Sequence, residues 1–115
     1  MINKVVYSHW SKPAKDDTVG FNSKEAFSNS FKLSLLTSKQ WANEVELVTD
    51  KKGYDLLIKD LKLPFDNVKI ELDTLNKIDK RFWAIGKLHA CLLQDKPFMH
   101  LDMDAFWFKK PPAHI

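Results

Sequence analysis

Segments typical of β-strands alternate with segments typical of α-helices along the whole chain, and this alternation constrains the fold more than any other feature. The apolar run at residues 4–10 predicts a buried strand, and the runs 45–50 and 98–101 predict two further strands. The run 68–72 alternates apolar with charged residues, as in a strand with one solvent-facing side. Between these strands, apolar residues recur at helical spacing in 23–41, 53–63 and 79–92. Successive strand–helix–strand units form right-handed crossovers. The sequence therefore predicts the α/β class, with a parallel sheet and helices on both of its faces.

The half-exposed character of the strand at 68–72 predicts the order of the strands. A strand with a wet face is expected at the edge of the sheet, which gives the order 3-2-1-4 and a reversal of growth between strands 1 and 4. In open α/β sheets such a reversal leaves a crevice beyond the carboxyl ends of the strands, where ligands bind. The candidate ligand contacts are therefore the polar and aromatic residues that end strands 1, 2 and 4, namely Ser8, His9, Trp10, Asp50, Asp102 and Asp104.

Length, charge and cysteine content exclude several classes of protein. The 115 residues are enough for one domain, and the 18 basic and 15 acidic side chains form no block of like charge such as nucleic-acid tails and membrane patches carry. We therefore predict no nucleic-acid partner. Cys91 is the only cysteine, so no intrachain disulfide can form, which favours a reducing compartment. Because no long apolar run is present, we predict a cytoplasmic protein with no integral membrane segment, while peripheral association with a membrane stays open.

Two aspartates two positions apart end the last predicted strand, in the stretch PFMHLDMDAFWF. Residues i and i+2 of a strand point to the same side, so Asp102 and Asp104 are expected to face one ligand. Close carboxylates repel unless a cation offsets their charge, and oxygen ligands select Mg²⁺ or Mn²⁺, which can bridge a diphosphate. The alternative is a strand-to-loop turn whose aspartates are solvated or cap the backbone. The spacing alone does not decide, because a chain with eleven aspartates contains about one such pair by chance.

Four stretches carry a resemblance to a known family: VVYSHWSKP, VELVTD, FWAIGKLHACLLQ and PFMHLDMDAFWFKKP. Together they span nearly the whole chain, which resembles the N-terminal, nucleotide-binding half of GT-A-fold glycosyltransferases and, more closely, a group of uncharacterised bacterial glycosyltransferase-like proteins. The resemblance implies a Rossmann-like sheet and a single nucleotide-sugar-binding domain over residues 1–115. It also implies a metal-dependent glycosyltransferase of the hexosyltransferase type, with a UDP-sugar as the expected donor and Mn²⁺ or Mg²⁺ as the cofactor.

The resemblance also implies roles for individual residues. In the family the acidic pair holds the divalent metal that bridges the donor diphosphate, so Asp102 and Asp104 are the implied metal ligands. Asp102 is also implied to contact the ribose or the donor sugar. The other implied donor contacts are Ser8 and Trp10 at the start of the loop after the first strand, Asp50 at the base or ribose, and Lys87 on the third helix.

Several of these residues have a simpler structural alternative that the sequence leaves open. Asp50 can cap the helix that follows it, and Lys87 can be a solvated side chain. Trp10 and Trp83 can pack in the core instead of stacking on a base. His100 has the period to share the face of the acidic pair, but it can equally be a hydrogen-bonded core residue. No catalytic residue is predicted, because no Ser/His/Asp or Cys/His arrangement can be argued from the sequence.

The chain departs from the family in its length. A complete GT-A domain continues beyond the acidic strand into a half that supplies the acceptor site and any catalytic base, whereas this sequence ends at PPAHI. We therefore expect the protein to be incomplete on its own, with an acceptor that the sequence does not identify. Phe106, Trp107 and Phe108 fit this expectation, because consecutive aromatic residues near a terminus have little to pack on in so small a domain. They predict self-association through this segment.

Three functions follow from the sequence as alternatives. The first is metal-dependent glycosyl transfer from a nucleotide sugar. The second is a non-catalytic module that keeps the nucleotide cleft but performs no transfer. The third is a phosphatase of the haloacid-dehalogenase type, which also uses a strand-borne D-x-D. That type requires a hydroxyl residue where this chain has Phe106, and it carries the motif on an early strand.

Overall fold

Four parallel strands form a single sheet in the computed structural model of the protein, which describes residues 3–14, 21–82 and 84–106. The strands are β1 (Lys4–His9), β2 (Glu44–Thr49), β3 (Asn67–Ile70) and β4 (Met99–His100), and their order is β3-β2-β1-β4. The predicted α/β class and the predicted strand order are therefore confirmed. Predictions that concern Trp83, Trp107 and Phe108 fall outside the described residues.

The two central strands are buried on both faces, which explains their continuous apolar sequences. β1 pairs with β2 along its whole length, with Val5 opposite Val45 and Ser8 opposite Val48, and the three valines are fully buried. β3 lies at the edge next to β2, and all of its residues are at least partly exposed. The edge position is therefore as predicted, but the strand ends at Ile70 and not at residue 72. Ile70 is 42% exposed, and Leu72 is fully buried in a short 3₁₀ helix, Leu72–Leu75.

One face of the sheet is covered by α1 (Lys24–Lys39). The helix begins where the hydroxyl of Ser23 accepts a hydrogen bond from the amide of Ala26 at 3.0 Å, so Ser23 is the N-cap. The predicted stripe of Phe27, Phe31 and Leu35 is fully buried in the core on this face. Burial of each of these side chains stabilises the fold by about 2 kcal/mol.

The second helix begins earlier than predicted and continues as a π-helix. The sequence pattern predicts a helix over 53–63, whereas α2 (Lys51–Tyr54) begins directly after Asp50 and continues as a π-helical segment, Asp55–Asp60. A π-helix bonds each amide five residues back, which accommodates an extra residue per turn. The segment is followed by Lys62, whose φ of 53° is the left-handed conformation that ends many helices.

The third helix begins later than predicted. α3 (Ile85–Leu92) starts well after Asp79, the predicted cap. Asp79 instead closes a separate turn, in which its carboxylate accepts a hydrogen bond from the amide of Arg81 at 2.9 Å. Neither α3 nor any other helix within the described ranges has the length and apolar character needed to cross a membrane.

The face of α3 that packs against the core also differs from the predicted one. The predicted apolar face consisted of Phe82, Ile85, Leu88 and Leu92. Leu88 and Leu92 are instead 60% and 84% exposed, and the buried residues of the helix are Gly86 and Ala90. A Cβ atom at Gly86 would lie only 2.9 Å from Cβ of Trp10, so this close approach requires glycine. The helix therefore packs mainly through its smallest residues. The apolar periodicity correctly predicts that Ile85 packs against the core, but it is wrong for Leu88 and Leu92.

A fully buried carboxylate on β2 connects several parts of the fold. Glu46 accepts hydrogen bonds from Nδ2 of Asn67 on β3 and from Nε2 of Gln94, which follows α3, each at 2.7 Å. Lys4 of β1 and Lys69 of β3 each place an ammonium group 3.5 Å from the same carboxylate. A charge can be held in the interior only with such partners, and here they come from separate elements.

Candidate functional site

The carboxyl ends of β1, β2 and β4 meet at one edge of the sheet, because every strand pairing is parallel. Ser8, Asp50 and Asp102 therefore lie at the same end of the sheet, as predicted, and an arrangement with Asp50 and Asp102 at opposite ends is excluded. The strand order reverses between β1 and β4, which are neighbours. We call the region formed by the ends of β1, β2 and β4 the carboxyl edge, and it is where open α/β sheets bind ligands.

A short ionic contact at the carboxyl edge joins α3 to the end of β4. Lys87 Nζ donates to Asp102 Oδ1 at 2.6 Å, and the two side chains are 37% and 53% exposed. If Lys87 belongs to the site it must point towards Asp102, and it does. Because both side chains reach solvent, the pair adds little stability, and either group can exchange its partner for a charged ligand.

The two aspartates lie in a turn and not on a strand. β4 ends at His100, and the amide of Ala105 donates to the carbonyl of Asp102 at 3.0 Å, which closes a turn over 102–105. The argument that strand geometry points Asp102 and Asp104 to one side is therefore wrong, because the strand ends before either residue. Both aspartates are exposed, and the turn is what brings them to the carboxyl edge.

The turn provides carboxylate oxygens without a complete set of metal ligands. Within the described part of the chain, no group of three or more His, Cys, Asp or Glu side chains is arranged to hold a metal ion. An open Mg²⁺ site takes only one or two carboxylates from the protein while water and substrate phosphates complete the shell, so a metal at this turn stays a prediction. Asp102 and Asp104 are the residues that would hold it. Asp102 already binds a cationic group, the ammonium of Lys87.

A polar contact between β1 and β4 lies beside the aspartate turn. Ser8 Oγ and His100 Nε2 are 2.9 Å apart. Burial lowers the pKa of His100 below its usual value, while the nearby Asp102 opposes this shift and Lys87 adds to it. A partly buried neutral imidazole beside a hydroxyl can donate or accept a hydrogen bond. The structure therefore brings His100, whose role the sequence leaves open, together with Ser8, Asp102 and Lys87.

Asp50 is a buried structural residue at the carboxyl edge. It is 3% exposed, and its carboxylate accepts hydrogen bonds from the amide of Ser11 at 2.9 Å, the hydroxyl of Ser11 at 2.8 Å and the amide of Gly53 at 2.7 Å. The bond from Gly53 is the N-cap of α2, the alternative left open by the sequence. The bonds from Ser11 fix the start of the loop after β1. A contact between Asp50 and a base or ribose stays a prediction.

Trp10 is also a buried residue, and it anchors the loop after β1. It is 6% exposed in the hydrophobic cluster on the α3 side of the sheet, and its Nε1 donates to Asn76 Oδ1 at 3.0 Å. Lys12 Nζ donates to the backbone carbonyls of Asn76 and Ile78 at 2.5 and 2.6 Å. Sequence analysis misses Asn76 and Lys12, because no local pattern links residues on separate loops. The packing alternative for Trp10 is observed, and stacking on a base stays a prediction.

His9 is a buried titratable residue near Asp50. It is 5% exposed, and burial lowers its pKa below the usual 6.5, while the charge of Asp50 opposes the shift and that of Lys52 adds to it. The folded protein thus keeps this imidazole neutral at a pH where the unfolded chain binds a proton.

The pKa shift of His9 predicts how stability depends on pH. Below about pH 6.5 the unfolded chain takes up a proton that the folded chain resists, so the free energy of unfolding should fall as the pH is lowered towards the folded pKa. Urea denaturation at a series of pH values should show this fall for the wild type and a shallower one for His9→Phe. An equally steep fall in His9→Phe would assign the pH dependence to other groups.

Comparison with known proteins identifies a family without a known role. A family described as a family of unknown function, DUF6734, matches residues 3–115. No curated protein and no solved structure matches the chain. These comparisons therefore indicate no function for the residues of the carboxyl edge.

Proposed function

We propose that this chain, which belongs to the DUF6734 family of unknown function, is a metal-dependent glycosyltransferase-like protein that binds a nucleoside-diphosphate sugar. The observation that carries the proposal is the contact between Lys87 and Asp102 at 2.6 Å. The contact joins a cation and an exposed carboxylate where the strand order reverses, close to the Ser8–His100 pair, and the exposed Asp104 follows in the same turn. A diphosphate with a divalent ion needs both kinds of charge.

Different residues of the carboxyl edge would make different contacts with the donor. Asp102 and Asp104 supply the carboxylate oxygens for Mn²⁺ or Mg²⁺, and a bound ion would offset the negative charge on the departing nucleoside diphosphate. Lys87 supplies an ammonium group that can pair with a diphosphate oxygen. Ser8 and His100 supply hydrogen bonds to donor hydroxyl groups. Asp50 keeps the loop after β1 in place through Ser11. A UDP-sugar is the proposed donor class.

A non-catalytic nucleotide-binding module is the second candidate. The observation in its favour is that His9 and Asp50, two titratable residues at the carboxyl edge, are at least 95% buried, and Asp50 is fully engaged by protein donors. Neither can reach an acceptor hydroxyl as a general base. On this alternative the protein binds the donor as proposed but transfers no sugar, so donor binding and sugar transfer must be measured separately.

Nucleotide affinity with and without metal tests the proposal. Calorimetry should show that UDP and UDP-sugars bind in the presence of Mn²⁺ and bind at least about tenfold more weakly with excess chelator. Asp104→Asn should weaken binding to a similar extent, because a neutral amide offsets none of the metal's charge. The matched control is Asp95→Asn, since Asp95 is exposed between α3 and β4 and should be replaceable without effect.

The outcomes separate the candidates. Equal affinity with and without chelator, or equal losses in Asp104→Asn and Asp95→Asn, would contradict the metal role. Metal-dependent binding with hydrolysis or transfer of the sugar would support the glycosyltransferase. Metal-dependent binding with an intact donor after prolonged incubation would support the non-catalytic module.

A further inference from the structure

The outward face of α3 carries exposed apolar side chains that the fold does not use. Leu88 is 60% exposed and Leu92 84%, and Phe82, just before the helix, is 63% exposed. Leu88 and Leu92 are four residues apart, so they lie on the same side of the helix. We call Phe82, Leu88 and Leu92 the α3 face.

Exposure of this face follows from how α3 packs. Gly86 and Ala90 are the buried residues of the helix, and Gly86 lies so close to Trp10 that no larger residue fits. Rotating the helix to bury Leu88 would move Gly86 away from Trp10 and lose this fit. The leucines are therefore held in solvent by the tertiary structure. Large apolar side chains fixed in this way commonly mark an interaction surface.

The α3 face lies within a basic segment of the chain. Residues 77–96 contain five basic and two acidic side chains, a net charge of +3. The remaining 95 residues contain thirteen of each sign, so this segment accounts for the whole net charge of the protein. Lys77, Lys80, Arg81 and Lys96 are all exposed, and of these Arg81 contacts Asp79 and Lys96 contacts Glu44 through exposed ion pairs. The apolar side chains are thus flanked along the sequence by positive charge on both sides.

We infer that the α3 face docks on the surface of an anionic lipid bilayer. Apolar side chains among exposed lysine and arginine residues are the combination that binds such a surface, the apolar groups entering the interface and the basic groups pairing with lipid phosphates. A second copy of this chain fits less well. A two-fold symmetric contact brings the same surface of both copies together, and here it would bring two segments of net positive charge face to face.

Docking in this orientation has a consequence for the carboxyl edge. Leu88 of the α3 face follows Lys87, which contacts Asp102. A bilayer against Leu88 and Leu92 would therefore lie close to the aspartate turn. The inference does not depend on the proposed function, because it uses only the exposure and charge of residues 77–96.

Vesicle co-sedimentation of the full chain tests the inference. The wild type should sediment with vesicles of phosphatidylcholine and phosphatidylglycerol in equal parts, and should remain in solution with phosphatidylcholine alone. Leu88→Ser/Leu92→Ser should reduce binding at least about tenfold, because two leucines no longer enter the interface. The matched control is Leu33→Ser/Leu36→Ser on α1, whose leucines are 50% and 44% exposed and should not contribute.

A charge variant provides an independent arm. Lys80→Glu/Arg81→Glu should also reduce binding to anionic vesicles about tenfold or more, and raising the salt concentration should weaken wild-type binding. Circular dichroism should show all variants folded, since every substituted side chain is exposed. Binding that is absent in the wild type, equal for both lipid compositions, or lost equally in the α1 control would overturn the inference. So would sedimentation velocity that shows a dimer dissociated by Leu88→Ser/Leu92→Ser.

Discussion

Replacing Asp50 by alanine is expected to lower the free energy of unfolding by about 3 kcal/mol, because the change leaves buried donors without a partner. The carboxylate is 3% exposed and accepts bonds from the amide and hydroxyl of Ser11 and from the amide of Gly53. Alanine removes all of these bonds and the cap of α2 together. Chemical denaturation measures the loss directly.

Asp55→Ala is the matched control for this prediction. Asp55 is also an aspartate of the second helical region, but it is exposed and its partners are the surface lysines Lys51 and Lys59. Exposed ion pairs of this kind contribute little to stability. The control should therefore unfold close to the wild type. Comparable losses in Asp50→Ala and Asp55→Ala would show that the hydrogen bonds of Asp50 do not organise the carboxyl edge.

Gly53→Ala is expected to be the most disruptive single-methyl change in the described region. The added Cβ would lie 2.0 Å from Thr49 Oγ1 and 2.9 Å from His9 Cδ2. Thr49 Oγ1 cannot move freely, because it is buried and donates to the carbonyl of His9 at 2.6 Å. Overpacking of this kind costs about 2–3 kcal/mol, which should lower the midpoint of thermal unfolding by roughly 10 °C or more.

The reason for the loss can be tested with Thr49. In a Thr49→Ala background the nearest obstacle to the new methyl group is absent, so Gly53→Ala should cost much less there than in the wild type. A double-mutant cycle measures this coupling. Equal costs in the two backgrounds would place the strain elsewhere, either at His9 or in the backbone of α2.

The sequence predicts the strand order because the charged residues of the β3 segment indicate a strand at the edge of the sheet. The alternation does not predict which side chains of β3 are exposed, since Ile70 is 42% exposed and Lys69 contacts the buried Glu46. The sequence also predicts the buried face of α1, because Phe27, Phe31 and Leu35 are large enough to determine which side of the helix faces the sheet. α3 differs because the close contact of Gly86 with Trp10 involves residues distant in sequence. A periodicity argument assigns large apolar residues to the core and cannot register a place where only glycine fits.

The candidate site was predictable in composition but less so in geometry. The sequence brings Ser8, Asp50 and Asp102 to one edge through the parallel sheet, and it identifies Lys87 as a residue that should point towards Asp102. It does not predict that β4 ends before the aspartates, because an edge strand with one neighbour can stop wherever the turn begins. The bond between Trp10 and Asn76 depends on two loops meeting in space, which no local pattern encodes.

The buried carboxylate of Glu46 is expected to couple the edge strand β3 to the rest of the sheet. Its partners belong to β1, to β3 and to the segment after α3, so peeling β3 away would take Asn67 and Lys69 from a charge that stays inside the protein. An edge strand usually frays at low cost, since few contacts hold it. Here, detachment of β3 would leave the buried carboxylate of Glu46 without two of its partners, Asn67 and Lys69. We therefore expect β3 to separate from the sheet only when the whole domain unfolds, with no stable partly unfolded state in which β3 alone is detached.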